Sequence, residues 1–248
     1  MKFYWFCRHN YFDIKNLFVK LESAGFDGVL LAYAQMGDPF SVLAHNIMPS
    51  SKMEYIVAVR PYLISPQYVS EIVESFESFA PGRLSLNIVP GAVIDSEKIY
   101  GGIIGEVNDS SSQEDRRNFL GEWIKEYSQC RKTENKIYVS GHHCDIVEYS
   151  EYSDSLIMNY RVYNSDYGYI PVSKPFYISM SPVIQGDPNK IDKDDMVVSR
   201  SDLKEIIEKL EKKGVEGIFF HNPMNFGQLS YIIDFVKDYK ASKQYITH

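Results

Sequence analysis

His9, Arg60, Asn87, the run Ser140-Gly141-His142-His143, and His221 are the residues whose types and positions could do chemistry. His9, Arg60 and His221 each follow an apolar run with the composition of a buried strand: Lys2–Cys7, Ile56–Val59 and Gly217–Phe220. His9 is either a pocket residue or a strand-end histidine with no role. Arg60 could balance an anionic ligand, or it could pair with Asp38. Asn87 is an amide inside the apolar run Leu84–Val89, so it requires a hydrogen-bond partner from the protein or from a ligand. Backbone N–H groups at a glycine turn such as Ser140–His143 can hold a phosphate, helped by the dipole of a following helix. His142 and His143 are adjacent, and no carboxylate or cysteine set joins them at ligand spacing, so no metal site is expected. His221-Asn222 either faces the same pocket or caps the turn at 222–225. Cys144 has no base near it in sequence and is not expected to be a nucleophile.

The elements that must carry these groups follow a repeating pattern, clearest between Met53 and Gly91. Ile56–Val59 is a β-rich run. Ser65-Pro66 then supplies an N-cap and a first-turn proline. Val69, Ile72, Val73, Phe76 and Phe79 follow at helical spacing, and Pro81-Gly82 ends the helix before Leu84–Val89. The same strand–helix alternation recurs. Lys2–Cys7 leads to a helix capped by Asp13, and Gly28–Ala32 leads to one marked by Phe40, Leu43, Ala44 and Ile47. Glu114–Tyr127 reads as a helix, Lys136–Ser140 and Ser155–Asn159 as strands, and Phe176–Ile184 as a seventh strand. Asp202–Lys213 is a strongly patterned helix, Gly217–Phe220 an eighth strand, and Phe226 to Val236 a final helix. Between them, 92–112 is a long loop and 160–174 has no helical period.

Eight strands alternating with helices predict a parallel sheet covered by helices. A single (β/α)8 TIM barrel over 1–248 explains the strand count, since such barrels typically take about 250 residues. No G-x-G-x-x-G follows the first strand, which argues against a dinucleotide-binding open sheet. In a parallel barrel, reactive groups sit at the C-terminal ends of strands, where the candidate residues lie.

The bulk composition fits that reading. Hydrophobic residues make up 44% and charged residues 24%, the balance of a soluble globule. A net charge of −7 argues against nucleic acid or an anionic membrane as partner. Three cysteines without metal spacing argue against a disulfide framework and for a reducing cytoplasm. The opening run is too short for a signal peptide or a membrane span. Tyrosine and phenylalanine number 19 and 14, which reads either as compositional bias or as an aromatic-lined pocket.

Three segments carry a family resemblance: 25–42 (GFDGVLLAYAQMGDPFSV), 57–66 (VAVRPYLISP) and 82–91 (GRLSLNIVPG). They resemble the bacterial luciferase-like flavin monooxygenases, most closely the alkanesulfonate monooxygenase branch. The segment 136–145 matches more loosely. The resemblance implies a (β/α)8 barrel that uses reduced FMN and O2 on a small organic substrate, with the FMN often supplied by a separate reductase. Deazaflavin replaces FMN in some relatives. It also implies a dimer, with itself or with a paralogue. By this resemblance the flavin ring lies near Ala58, Asn87 and His9, and the phosphate near Ser140, Gly141, His142 and His143. Arg60 and His221 stand with His9 as the groups for chemistry.

Departures from the family pattern are equally specific. Gly186–Ser201 replaces the long lid insertion, shortening the region around the sixth and seventh strands. Ser179 and Ser181 stand where the sulfonate branch carries Arg-x-His, Pro90 replaces a flavin-facing threonine, and Ser112-Gln113 replaces an Arg-Tyr pair. These departures raise a second reading, a non-catalytic flavin-binding or partner subunit of the same family.

Overall fold

The computed structural model describes residues 1–7, 13–32, 38–48, 51–89, 112–141, 151–164, 173–183, 196–221 and 226–244. Local chemistry starts each helix. Asp13 caps α1 (Ile14–Ser23) by accepting the Asn16 N–H at 3.0 Å, and Asp38 caps α2 (Pro39–Asn46) in the same way. Ser65 caps α3 (Pro66–Glu77), with Pro66 in the first turn. Reciprocal capping boxes open α4 (Gln113–Cys130) and α6 (Arg200–Lys212), through Ser112 with Asp115 and Ser199 with Asp202. The first of these boxes makes α4 start one residue earlier than its apolar pattern predicts. A short α5 (Tyr160–Val162) and a long α7 (Phe226–Gln244) complete the set. Among the described residues no helix is long and apolar enough to cross a membrane.

The strands are β1 (Lys2–Cys7), β2 (Gly28–Leu31), β3 (Glu54–Val59), β4 (Leu84–Ile88), β5 (Ile137–Gly141), β6 (Ser155–Asn159), β7 (Phe176–Met180) and β10 (Gly217–Phe220). They form a closed parallel barrel in the order β1-β10-β7-β6-β5-β4-β3-β2, closed by pairing of Lys2 with Gly217. The (β/α)8 expectation therefore holds. The predicted seventh strand, however, ends at Met180. Pro182 has no N–H to give a ladder, and the chain leaves the barrel there. The two-residue strands β8 (Pro182–Val183) and β9 (Met196–Val197) pair outside it, with the Met196 N–H donating to the Ser181 carbonyl at 2.8 Å.

Each barrel strand is buried on both faces, so side chains divide between two cores. Outward residues such as Trp5, Leu31, Val57, Leu86 and Ile178 pack against the helices. Inward residues Tyr4, Leu30, Ile56, Tyr138, Ile157, Tyr177 and Phe219 fill the barrel. Tyr4 and Phe219 stack with ring centroids 4.5 Å apart, and Tyr138 meets Tyr177 edge-on at 5.4 Å. Glycines make room for the tyrosines. A Cβ on Gly217 would lie 2.9 Å from both the Lys2 carbonyl and the Tyr177 ring, and one on Gly28 would lie 2.4 Å from the Glu54 carbonyl and 3.0 Å from the Tyr4 ring.

Below this layer, the N-terminal end of the barrel is closed by a polar network. Glu54 accepts hydrogen bonds from Tyr4 (2.9 Å), Ser85 (2.6 Å) and Tyr138 (3.0 Å). Lys136 Nζ donates to the hydroxyls of Tyr138 (2.9 Å) and Tyr177 (3.0 Å). Burial, reinforced by the Glu54 charge, pushes the Tyr4 and Tyr138 hydroxyls well above the usual tyrosine range, so they stay protonated and donate. Burial lowers the Lys136 ammonium. Part of the aromatic excess in the composition is thus barrel filling, and Glu54, Lys136 and the hydroxyls of Tyr4, Tyr138 and Tyr177 bond one another at this end, while the buried Ser155 Oγ, paired in register with Tyr138, has no hydrogen-bond partner.

Candidate active site

Two residues beyond the aromatic layer, alternation along each strand brings a second inward set to the C-terminal mouth. Phe6, Ala58, Asn87, Ser140, Asn159, Ser179 and His221 occupy it. Register pairs Ala58 with Asn87 and Asn159 with Ser179. Phe6 meets the His221 ring edge-on at 5.7 Å, so the first and last barrel strands close the mouth with an aromatic and an imidazole. His221 is buried and is anchored through its backbone N–H to the Met180 carbonyl at 3.0 Å.

Asn87 is a polar group here with hydrogen-bonding capacity left to satisfy. It is 2% exposed, and its Nδ2 donates to Ser140 Oγ at 3.0 Å. Its Oδ1 is buried and has no partner. A buried acceptor without a donor costs roughly 1–3 kcal/mol, and at the mouth of a barrel, where ligands bind, a ligand donor would remove that cost. By contrast, the Asn159 Oδ1 is taken up by the Arg161 N–H at 2.9 Å, which caps α5.

The Asn87–Ser140 bond joins a residue expected near the flavin ring to one expected near its phosphate. Ser140 and Gly141 are moreover the last residues of β5 rather than a turn after it. His9, His142 and His143 lie outside the described residues, as do Pro90 and Cys144.

Arg60 follows β3 directly, is 8% exposed, and lines a pocket of about 180 Å³ with Ala58 and Asp38. Asp38 Oδ2 accepts from both the N–H (2.8 Å) and the Oγ–H (2.6 Å) of Ser41, which turns its charge toward the start of α2. Sequence reading missed Phe6 and the pocket wall at Phe40, Leu63 and Ile64. An apolar residue at a strand end or in a turn carries no chemical signal of its own. Among the described residues no group of histidine, cysteine, aspartate and glutamate is clustered tightly enough to hold a metal ion.

Comparison with known proteins bears on this arrangement. EDTA monooxygenase from Chelativorans sp. BNC1 superposes with a TM-score of 0.73 at 10% identity, covering 98% of this chain and 94% of that one. An F420-dependent secondary alcohol dehydrogenase, in complex with an F420-acetone adduct, gives 0.69 at 14% identity over 96% and 97%. The oxygenating constituent of 3,6-diketocamphane monooxygenase from Pseudomonas putida, in complex with FMN, gives 0.61 at 12% identity over 91% and 90%. At these identities the likeness speaks for the barrel alone. The sequence itself matches the family model described as luciferase-like monooxygenase over residues 6–154, more than half of its length, with β2 through β5 and both Asn87 and Ser140 inside the match. The chain belongs to the luciferase-like monooxygenase family.

Proposed function

We propose that this chain is a flavin-dependent oxidoreductase that uses reduced FMN and O2 on a small organic substrate, with the flavin ring at the barrel mouth. The observation that carries the reading is the unpartnered, buried Asn87 Oδ1 in a strand of a luciferase-like barrel. A flavin ring presents an N–H donor of the kind this oxygen lacks. Ala58, paired in register with Asn87, is small enough to let a flat ring approach the strand backbone. The residues present therefore fit the group. Bound there, the flavin would supply the redox chemistry, which belongs to the cofactor rather than to the protein.

This chain's side chains would bind and orient. Asn87 would accept from the ring, and Ser140 would stay fixed by the Asn87 amide while its hydroxyl proton meets the same ligand. His221, buried against Phe6, would hold or move a proton at the mouth, while the Phe6 ring would shield that side from water. Arg60 would hold charge at the rim. His9, His142 and His143 retain the roles that the resemblance implies, ring contact for the first and phosphate contact for the pair. Reduced flavin would come from a separate reductase, and the working form would be a dimer.

Titration of the purified chain with FMN, reduced FMN and a deazaflavin, followed by absorbance, tests this. Saturable binding of one of them is expected; no binding of any of the three would sink the reading. A second reading is favoured by the end of β7, where Ser179 and, just beyond the strand, the buried Ser181 stand in place of charged groups. In it the chain binds flavin as a partner subunit and does not turn over. Oxygenated product in an assay with a flavin reductase and candidate substrates would remove it.

A further inference from the structure

The pocket beside the mouth lies between the start of α2 and the turn that follows β3, a 3-10 helix at Pro61–Leu63. Most of its lining is apolar, from Pro39, Phe40, Ala58, Val59, Leu63 and Ile64. Of the two charged residues at it, Asp38 is exposed and commits Oδ2 to the N–H and hydroxyl of Ser41, and Arg60 has interactions of its own. What the remaining residues offer a ligand is hydrocarbon surface. These walls are held from outside. Phe40 packs on Phe76 of α3 with ring centroids 6.3 Å apart. Trp123 Nε1 donates to the Ile64 carbonyl at 2.8 Å, tying the turn to α4, and the Leu63 N–H closes the turn on the Arg60 carbonyl at 3.0 Å. Pro39 and Pro61 open their helices with φ already fixed. A pocket braced by such contacts does not close by collapse of its walls.

Its volume is about 180 Å³. Sites that enclose a whole drug-sized ligand take ~300–1,000 Å³, so this one is too small for a flavin. An engineered apolar cavity of ~150 Å³ takes benzene, which sets the scale at one ring or a short alkyl chain. Ala58 lines the pocket and is paired in register with Asn87, so a group that fills the pocket lies beside the position assigned to the flavin ring. We infer that this pocket is the substrate subsite and that it takes a compact apolar group, the size of a single six-membered ring, seated against Phe40, Leu63 and Ile64. The binding of that group follows from the pocket alone; its placement beside a redox cofactor rests on the flavin reading.

Calorimetric titration of the purified chain with benzene, toluene, ethylbenzene, propylbenzene and butylbenzene, without flavin and again with FMN added, tests it. Each methylene that enters the pocket is expected to tighten binding roughly fourfold. The gain should stop once the pocket is full, before the longest chain. Leu63→Trp fills the pocket from a half-buried wall and should weaken toluene binding roughly tenfold or more. Leu63→Ala enlarges the pocket and should carry the gain to a longer chain. Binding of no probe in either state overturns the proposal. So does a gain that runs unbroken to butylbenzene, which is the behaviour of non-specific partition. If Leu63→Trp does not fold, Leu63→Ala decides the location, and an unmoved break places the probes elsewhere and overturns the assignment. Displacement of the probes by FMN would give the pocket to the cofactor and overturn it as well. Probe binding by a chain that takes up no flavin would keep the subsite and remove the flavin reading. Flavin binding without probe binding would do the reverse.

Discussion

Replacing Asn87 by Leu keeps the number and branching of side-chain heavy atoms while removing both polar ends. In the flavin-free protein two effects compete. The unpartnered Oδ1 disappears, which returns roughly 1–3 kcal/mol of desolvation cost. The Nδ2 bond to Ser140 Oγ is lost, at about 1 kcal/mol, and Ser140 is partly open to water, which softens that loss. The expected net is a gain of about 0–2 kcal/mol, so the urea midpoint of Asn87→Leu should equal or exceed that of the unmodified chain. Flavin affinity should move the other way. Loss of one acceptor predicts a fall of roughly three- to tenfold in FMN binding, read by absorbance titration. Opposite signs in the two assays are the mark of a residue kept for its ligand at the expense of stability. If Asn87→Leu instead destabilises the chain by more than about 1 kcal/mol and leaves flavin affinity unchanged, Asn87 is a structural amide and the central observation is misread.

Other consequences are sharper for the scaffold. Gly28→Ala should destabilise more than Gly217→Ala, because its Cβ meets a carbonyl at 2.4 Å rather than 2.9 Å; both should cost on the order of 1–3 kcal/mol in urea unfolding, and a neutral Gly28→Ala would contradict the packing. Burial works to raise the Glu211 carboxyl, but hydrogen bonds from Lys243 (2.8 Å) and the N-terminal amine (3.0 Å) outweigh it and bring the group down from 4.5 to about 2. A depressed carboxyl contributes its stability above the unfolded value and loses it as pH falls. Unfolding midpoints should therefore drop between pH 4.5 and about 2, and Glu211→Gln should flatten that slope. Trp123→Phe should cost about 1 kcal/mol through the lost bond to the Ile64 carbonyl, and it should weaken whatever the neighbouring pocket binds, since the turn is then less firmly held.

Much of this molecule is local and therefore readable from the chain. Asp13, Asp38, Ser65 and Ser112 start helices through bonds spanning three residues, and apolar spacing along α3 and α6 marks their buried faces. Strand–helix alternation leads from there to a barrel, and a barrel places His221, Arg60 and Asn87 near its mouth before any coordinates exist. The seventh strand is shorter than Phe176–Ile184 because apolar residues continue past Met180 to either side of Pro182, and a proline in sequence is compatible with a strand's edge as well as with its end.

Tertiary structure alone decided the rest. Strands buried on both faces carry no polar alternation to say which side chains point inward, so Tyr4, Tyr138 and Tyr177 could not be told from residues facing the helices. Their meeting with Glu54 and Lys136 joins strands far apart in sequence, as does the pairing of Lys2 with Gly217 that closes the barrel. The Asn87–Ser140 contact spans 53 residues. Residue type could announce that Asn87 needed a partner; only the packed barrel shows that half of that need is met by Ser140 and that the other half is left open.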